Sequence, residues 1–565
     1  MSTVVAEGSQ QLNSPLSMLY RWEKEKSNHT YLQQPTSGGL VNYSWAETAT
    51  LARKIAAKLK SYNYPKGTCI AILAKNSAEW LIVDYAIMMA GYVSVPIFAT
   101  AGKDTIAYVL SHANCPLIFI GKLDSYEAIE SIVNKEGEQG EFAFNKLQTV
   151  AFPYDGIKAD MSWVEFTNLP PLDGNPQPDM NDIMTIIYTS GSTGQPKGVV
   201  HTYHSICWGA NAFANALGMI DKDRLMSYLP LAHITERVLI ELASLYACTC
   251  LHFVESLDTF TRDVKSCQPT MFISVPRLWT KFQMGVLAKL PQEKLNFLLH
   301  IPLLGKFIAK KIRHELGIGS ARVWASGSAP LAPATIEWFA RLGINISEGW
   351  GMTENAAYGA ANFPYRPDKI GAIGKVFEGV DIRIAEDGEI QTKSPSNMLG
   401  YYKDQEKTSG VFTNDGFLRT GDKGAIDAEG YVRITGRLKD IFKTAKGKYV
   451  TPAPIEAKIM ENPIVEQVCV TGTNLAQPIA LLVLSEEAKL ESQDSISQSL
   501  EASLDKINAT LESHQRLDRI IVFSETWSIE NDLLTPTLKV KRHVIEERFS
   551  NIIKASYHER VVWIN

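Results

Sequence analysis

The sequence predicts an α/β protein: a large N-terminal domain of layered α/β sheets, followed by a smaller C-terminal α+β domain. Three observations predict it. At 565 residues the chain exceeds one ordinary core, so two or more domains are expected. From residue 45 onward, helix-period and strand-like segments alternate, the order of a layered fold with at least one mainly parallel sheet. After about residue 436 the composition changes, and short strands flank one long amphipathic stretch.

The elements follow in order. Leu51, Ile55 and Leu59 share one face of a helix beginning near Ser44. Residues 68–73 read as a strand and 77–90 as a helix, with Asn76 and Ser77 as its start signal and Gly91 as its stop. Residues 93–98, 116–120 and 149–152 are further strands, with a helix over 104–112. The run 80–98 is the longest apolar stretch, but Asp84, Gly91 and Pro96 interrupt it. It reads as a core helix and a strand, not a membrane span. Residues 168–180, rich in Pro, Asp and Gly, form a surface crossing. Residues 183–188 are apolar and β-branched, a buried strand. Strands recur at 247–253, 270–275 and 321–325. In the C-terminal part, 486–513 places apolar residues at 490, 496, 500, 504, 507 and 511, an amphipathic helix or helix pair between strands at 468–470, 480–484 and 519–523.

Composition narrows the function. With 45% hydrophobic and 21% charged residues the chain is an ordinary globular protein. A net charge of −5 makes no electrostatic case for nucleic acid, so anionic ligands must be met by local donors. The seven cysteines are scattered. Cys248 and Cys250 would share one face of a strand, but no second close pair completes a zinc site, and buried free thiols in a reducing cytosol are expected. Residues 1–10 have neither a basic start nor an apolar core, so no signal peptide is expected and the protein is expected to be cytoplasmic.

Chemistry concentrates in six segments. After the strand at 183–188 come Thr189-Ser190-Gly191-Ser192-Thr193-Gly194, then Gln195-Pro196-Lys197-Gly198. Glycines let backbone approach an anion, and hydroxyls, N–H groups and a lysine supply donors and charge to phosphate oxygens. The spacing is not that of a Walker A loop, because Pro196 stands at its second glycine and Gly198 follows the lysine. A flexible surface turn is the alternative, against which stand the feeding strand and the lysine at the exit. In Glu348-Gly349-Trp350-Gly351-Met352-Thr353-Glu354, two glycines bracket an aromatic suited to a purine face, followed by a hydroxyl and a carboxylate. A helix-capping role for Glu354 is the alternative. Upstream lies Ser326-Gly327-Ser328-Ala329-Pro330-Leu331. Thr420-Gly421-Asp422 offers an acceptor with several lone pairs, fifteen residues before Arg437. Leu534-Thr535-Pro536-Thr537-Leu538-Lys539-Val540-Lys541-Arg542 is a basic cluster near the C-terminus, in which Lys541 and Arg542 are expected to be solvated. Leu229-Pro230-Leu231-Ala232-His233-Ile234-Thr235-Glu236-Arg237 carries a lone histidine, for which a buried structural role is the competitor.

Together, and in this order along nearly the whole chain, these segments resemble the adenylate-forming, AMP-binding enzymes. That superfamily includes acyl-CoA synthetases, firefly luciferase and peptide-synthetase adenylation domains. The resemblance is greatest to long-chain fatty acid–CoA ligases, a branch that Ser274-Val275-Pro276-Arg277-Leu278-Trp279 also favours without suggesting chemistry.

The resemblance implies a site. Thr189, Ser190, Gly191, Ser192, Thr193, Gly194 and Lys197 would bind the phosphates of ATP. Gly327, Ser328 and Ala329 would lie on the adenine side. Glu348, Gly349, Trp350 and Gly351 would line the adenine pocket. Thr353 would touch the α-phosphate, and Glu354, with Thr189, would hold Mg²⁺. Asp422 and Arg437 would take the ribose hydroxyls. Lys539 would bridge carboxylate and phosphate during adenylation, and His233 would sit where the acyl carboxylate enters. The hinge would be Lys439 within Gly436-Arg437-Leu438-Lys439-Asp440, dividing the chain into 1–436 and 437–565. Lys443 would serve the thioester-forming arrangement. The chain departs from the pattern in Ser328, where a second glycine is usual, in one extra residue between Lys443 and Val450, and in Pro454, where an acid is usual.

The implied reaction uses ATP, Mg²⁺ and CoA to convert a long-chain fatty acid to acyl-AMP and then acyl-CoA. Acyl-AMP formation alone, transfer to a carrier protein, and a decayed fatty-acid binding or uptake protein are the alternatives. Residues 295–314 mix Phe297, Leu303, Leu304 and Phe307 with Lys306, Lys310, Lys311 and Arg313. Either this is a helix pair covering an acyl tunnel, or its apolar face and basic flank rest on an anionic membrane.

Overall fold

The protein is described from a computed structural model over residues 12–133, 147–189, 195–535 and 538–564. The expected α/β architecture is present, with a large N-terminal domain and a smaller C-terminal one. Its centre is the helix Ala78–Ala90, in which every residue is buried, as continuous apolarity on all sides requires. Gly91 stops it at a left-handed φ of 80°, and its N–H donates to the carbonyls of Ile87 and Met88. Asp84 on this helix meets Arg237 at 3.0 Å with both side chains fully buried. Removing one partner of such a pair typically costs about 3–5 kcal/mol. The histidine-bearing segment is thereby tied to the core through its own arginine.

Among the described residues the largest sheet has seven strands. Gln148–Ala151, Leu117–Ile120, Cys69–Leu73, Val93–Ile97 and Ile183–Thr189 run parallel, and Lys197–Thr202 and Gly400–Tyr401 add antiparallel strands at the far edge. Lys197–Thr202 was not anticipated, because Val199 and Val200 are too short an apolar signal directly after Pro196-Lys197-Gly198. Thr189 is paired to Lys197, so the ends of these two strands lie side by side.

A second sheet sets Met271–Ser274, Val323–Ser326 and Ile346–Trp350 parallel, followed by Ala360–Ala361 and Lys375–Val376 antiparallel. A third is wholly antiparallel, ends in Leu418–Ile426 and Val432–Arg437, and places Asp422 directly opposite Arg437. The C-terminal sheet of Val465–Thr471, Ile479–Leu484, Ile520–Phe523 and Val561–Ile564 is covered by Gln493–Asn508, which buries Ile496, Leu500, Leu504 and Ile507. The amphipathic stretch is one helix rather than a pair, since Leu490 sits exposed in a preceding 3₁₀ turn.

Two expectations are corrected. Cys248 takes a left-handed φ of 57° where the helix Ala243–Ala247 ends, and the strand starts only at Cys250, so the two thiols do not share a strand face. Arg542 is not solvated: its guanidinium meets Glu456 at 2.7 Å with both side chains mostly buried, and it donates to the Val470 carbonyl. The small domain uses the arginine as an internal brace, whereas Lys541 pairs with Asp532 at its surface.

Candidate active site

The strand pairing that opposes Asp422 to Arg437 makes the best-defined part of the site. Arg437 Nε lies 2.8 Å from Asp422 Oδ1, and Trp350 Nε1 donates to Oδ2 at 2.9 Å. Asp422 is buried while the Arg437 side chain is exposed, so the guanidinium meets the carboxylate from the solvent side. Each oxygen retains a further lone pair for an incoming hydroxyl. Trp350 ends the strand Ile346–Trp350, and Gly351 after it cannot be replaced freely: a Cβ there would stand 2.5 Å from the backbone of Ala357.

The turns around this carboxylate are strained. Ser328, after the strand Val323–Ser326, holds φ at 66°, and Ala356 and Ala357 hold 54° and 55°. Each left-handed L-residue costs roughly 1–2 kcal/mol, and such strain gathers where a loop shape is over-determined by its surroundings. The serine in place of a second glycine is thus a backbone matter. Glu348 braces the same loops, since its Oε2 accepts from Gly371 N–H at 3.0 Å and burial pushes its carboxyl up to about 7, opposed by the N–H groups of Gly371 and Leu331. Ala329 is exposed beyond the loop.

Lys539 reaches this group from the other domain. It follows Leu538, itself at φ 59°, in a tight turn where Lys539 N–H donates to Thr535 Oγ1 at 3.1 Å. The side chain is open to solvent in a cleft walled by protein. That surrounding mass lowers its ammonium pKa first, Arg437 lowers it further, and Asp422 and Glu354 oppose both. His233 belongs to the same electrostatic neighbourhood. Burial and then the Lys539 charge push its imidazole down to about 4, so it is neutral at neutral pH. Its Nδ1 accepts from Thr235 N–H at 3.2 Å, which puts the proton on Nε2.

The third part gathers around Tyr401. Glu354 lies in the 3₁₀ turn Thr353–Asn355, and Tyr401 OH donates to its Oε1 at 2.8 Å. Lys197 Nζ stands 5.1 Å from the centre of the same tyrosine ring. Burial lowers the Lys197 pKa, repulsion from Lys439 and Lys407 lowers it further, and Glu354 opposes. Thr189 is half-buried at the strand end, opposite Lys197. Ser190, Gly191, Ser192, Thr193 and Gly194 lie outside the described residues.

Beside these groups opens a mainly apolar pocket with about 70 Å³ of enclosed space. Gly327, Ser328, Trp350 and Gly351 line one part, and Phe213, Leu217, Leu239, Phe363 and Phe377 line the rest. The wall includes Leu229 and Thr235, which flank His233, but not the histidine itself.

Sequence reasoning missed five supports. Tyr401 joins Glu354 to Lys197. His201, buried and pushed down to about 4, has Nε2 2.7 Å from the Thr353 carbonyl and thereby fixes the buried Thr353 turn. Asn76 and Glu236 hold the loop before His233. Asn76 donates to the Leu229 carbonyl at 2.6 Å and accepts from Leu231 N–H, while Glu236 accepts from Tyr228 N–H at 3.0 Å. Arg277, to which no chemistry was assigned, pairs with Glu466 across the two domains. The visible signal for these was weak: polar residues inside apolar segments.

Lys443 is not brought to the group. It lies on the hairpin Phe442–Lys443 and Tyr449–Val450, exposed, with its ammonium 5.5 Å from the Tyr449 ring. Lys439 is exposed between the strand Val432–Arg437 and that hairpin, close enough to Lys197 to repel it.

Comparison with known proteins places this geometry. The family described as AMP-binding enzyme matches residues 19–402, and the AMP-binding enzyme C-terminal domain matches 439–561. The chain is 27% identical to the long-chain-fatty-acid–CoA ligase FadD15 of Mycobacterium bovis, over 96% of this chain and 97% of that protein. It is 27% identical to the peroxisomal long chain acyl-CoA synthetase 6 of Arabidopsis thaliana, over 92% of this chain and 83% of that one. Among solved structures, the anthranilate CoA ligase AuaEII in complex with anthranoyl-AMP superposes with a TM-score of 0.76 at 22% identity, over 95% of this chain and 97% of that one.

Proposed function

The chain belongs to the AMP-binding enzyme family, and from that premise we propose that it activates a long-chain fatty acid with ATP and passes the acyl group to CoA. One observation carries the reading. Lys539, from the small domain, comes within electrostatic reach of His233, Arg437, Asp422 and Glu354 beside a mainly apolar pocket. An amphiphilic acid suits such a place, with its chain in the cavity and its carboxylate among the polar groups. The names of the relatives, long-chain-fatty-acid–CoA ligase and long chain acyl-CoA synthetase, support the long-chain substrate.

In the first step a fatty-acid carboxylate oxygen attacks the α-phosphorus of ATP and pyrophosphate departs. Charge crowds onto the phosphate oxygens, so positioning and fixed cations supply the catalysis. Asp422 accepts the ribose hydroxyls and Arg437 keeps its carboxylate aimed. Trp350, Gly349, Gly351, Gly327, Ser328 and Ala329 border the adenine, with Glu348 holding their loops. Thr353 meets the α-phosphate, on a turn that His201 pins. Lys197 and residues 189–194 bind the outer phosphates, and the repulsion of Lys197 by Lys439 and Lys407 is relieved when a polyanion arrives. Lys539 donates between carboxylate and phosphate oxygens. His233, neutral with its proton on Nε2, donates to the entering carboxylate without adding charge. In the second step the CoA sulfur attacks the acyl carbon and AMP leaves.

The oxygen donors present suit Mg²⁺, which takes one or two carboxylates and completes its shell with substrate phosphates and water. Glu354, oriented by Tyr401, and the Thr189 hydroxyl would hold it. Bound there, it would neutralise charge on the phosphates.

We place the division between the two domains at 436–437, with Lys439 as the hinge. Gly436 fits that position by packing: a Cβ there would stand 2.0 Å from Thr451 of the small domain.

A panel of acids from acetate to very long chains, each with ATP and with or without CoA, tests the reading. Each buried methylene is worth ~0.8 kcal/mol, so affinity should rise about fourfold per carbon until the cavity fills. Acetate or an aromatic acid outperforming palmitate would remove the long-chain assignment. Acyl-AMP that never becomes a thioester would remove CoA as the acceptor.

A further inference from the structure

The helical hairpin of Gln292–His300 and Leu304–Glu315 has two apolar sides. Its inner side is already packed: Leu295 and Ala309 are buried, and Leu299, Ile308 and Ile312 lie against the same core. Its outer side carries Phe297, Leu303 and Phe307, which are 68%, 82% and 63% exposed. These three do not cover the fold's interior, so the hairpin's packing leaves them without a purpose in the monomer.

The tip is also strained. Leu303 holds φ at 66°, a region where a branched L-residue is an outlier, and it is the N-terminal cap of the second helix. Gly305 lets the two helices close, since a Cβ there would lie 2.5 Å from the Leu299 carbonyl oxygen. A large apolar side chain is therefore held outward in an unfavourable backbone state.

Charge surrounds it. Lys294, Lys306, Lys310 and Lys311 are exposed and joined to no carboxylate among the described residues. Glu315, the acid of the second helix, is taken by Lys265 at 3.0 Å, and the exposed Glu293 is the one acid on the first. Leu303, Phe307 and Lys311 recur every four residues, as do Lys306 and Lys310, so apolar and cationic groups share adjoining strips of the outer face. In a chain of net charge −5 this concentration of unpaired lysines is local and of opposite sign.

We propose that this hairpin tip docks on an anionic phospholipid bilayer, with Leu303, Phe297 and Phe307 entering the headgroup region and the four lysines facing lipid phosphates. Apolar area plus basic charge is the combination that binds an interface without spanning it, and no helix among the described residues is long and apolar enough to cross a membrane. The inference stands on the surface alone and is independent of the acid activated.

The test uses the full chain with no ATP or fatty acid, sedimented with vesicles of phosphatidylcholine alone or mixed with phosphatidylglycerol. The protein should sediment with the mixed vesicles, less so at high salt, and little with the neutral ones. Each lysine near the surface contributes about fivefold, so Lys306→Gln with Lys310→Gln should weaken partitioning by at least tenfold. Leu303→Asn is the second variant: asparagine accepts a left-handed φ, so thermal stability should hold or rise while partitioning falls. Failure to sediment with anionic vesicles would overturn the proposal, as would equal sedimentation of all three proteins. So would a concentration-dependent dimer that Leu303→Asn abolishes, which would assign the tip to a second copy of the chain.

Discussion

Replacing Lys539 by alanine should abolish acyl-AMP formation while leaving the conversion of supplied acyl-AMP and CoA to thioester largely intact. Loss of one preorganised group that meets developing charge typically costs on the order of 10²–10³ in rate, and Lys539 is the cation that the small domain brings to Asp422 and Glu354. The proposed counterpart for the second step, Lys443, would need the same place at another time. Lys443, on the same domain, sits exposed over Tyr449 while Lys539 is in the cleft. On the proposed reading the small domain turns about Lys439 between steps, a gating motion that completes one arrangement at a time. Arg277 and Glu466 tie the present orientation across the domains. Rapid-quench assay of each half-reaction checks the expectation. Equal loss of both halves in a folded Lys539→Ala protein would remove the case for a turning domain.

Glu354→Ala should lower the adenylation rate by on the order of 10²–10³ and make it more dependent on Mg²⁺ concentration. Its carboxylate accepts from Tyr401 at one oxygen, which leaves the other for a metal. Asp422→Ala is the informative partner. That carboxylate, held by Trp350 and Arg437, is assigned to the ribose, so its loss should raise the KM for ATP more than it lowers kcat. Initial rates over a matrix of ATP and Mg²⁺ concentrations separate the two. A Glu354→Ala enzyme with unchanged rate and unchanged Mg²⁺ dependence would contradict the metal assignment.

The residues that announced themselves in the sequence did so because they stand in unusual local chemistry. Glycines bracketing Trp350, a strand running into hydroxyls and Lys197, and an aspartate fifteen residues before an arginine each read as loops built for a ligand. The alternation of helix and strand likewise made the layered fold legible, and the buried helix Ala78–Ala90 and its Gly91 stop followed from apolarity and one glycine. What stayed hidden depends on meetings between distant segments. Tyr401 reaches Glu354 from 47 residues away, and His201 reaches Thr353 from 152. Nothing local marks either. Arg542 was misread because a basic cluster near a terminus looks solvated until Glu456 is packed against it. Lys197–Thr202 escaped because its pairing with Ile183–Thr189, rather than its own apolarity, makes it a strand. Ser328 could be seen as a departure but not as strain, since φ is a property of the turn it closes.

The central claim is that a fatty acid is activated as its adenylate before CoA is used. Exchange of labelled pyrophosphate into ATP, measured with palmitate and without CoA, tests it most directly, because exchange requires reversible formation of an acyl-AMP on the protein. The account predicts exchange that depends on palmitate and on Mg²⁺. Release of ADP and phosphate in place of exchange, or no exchange until CoA is added, would contradict it.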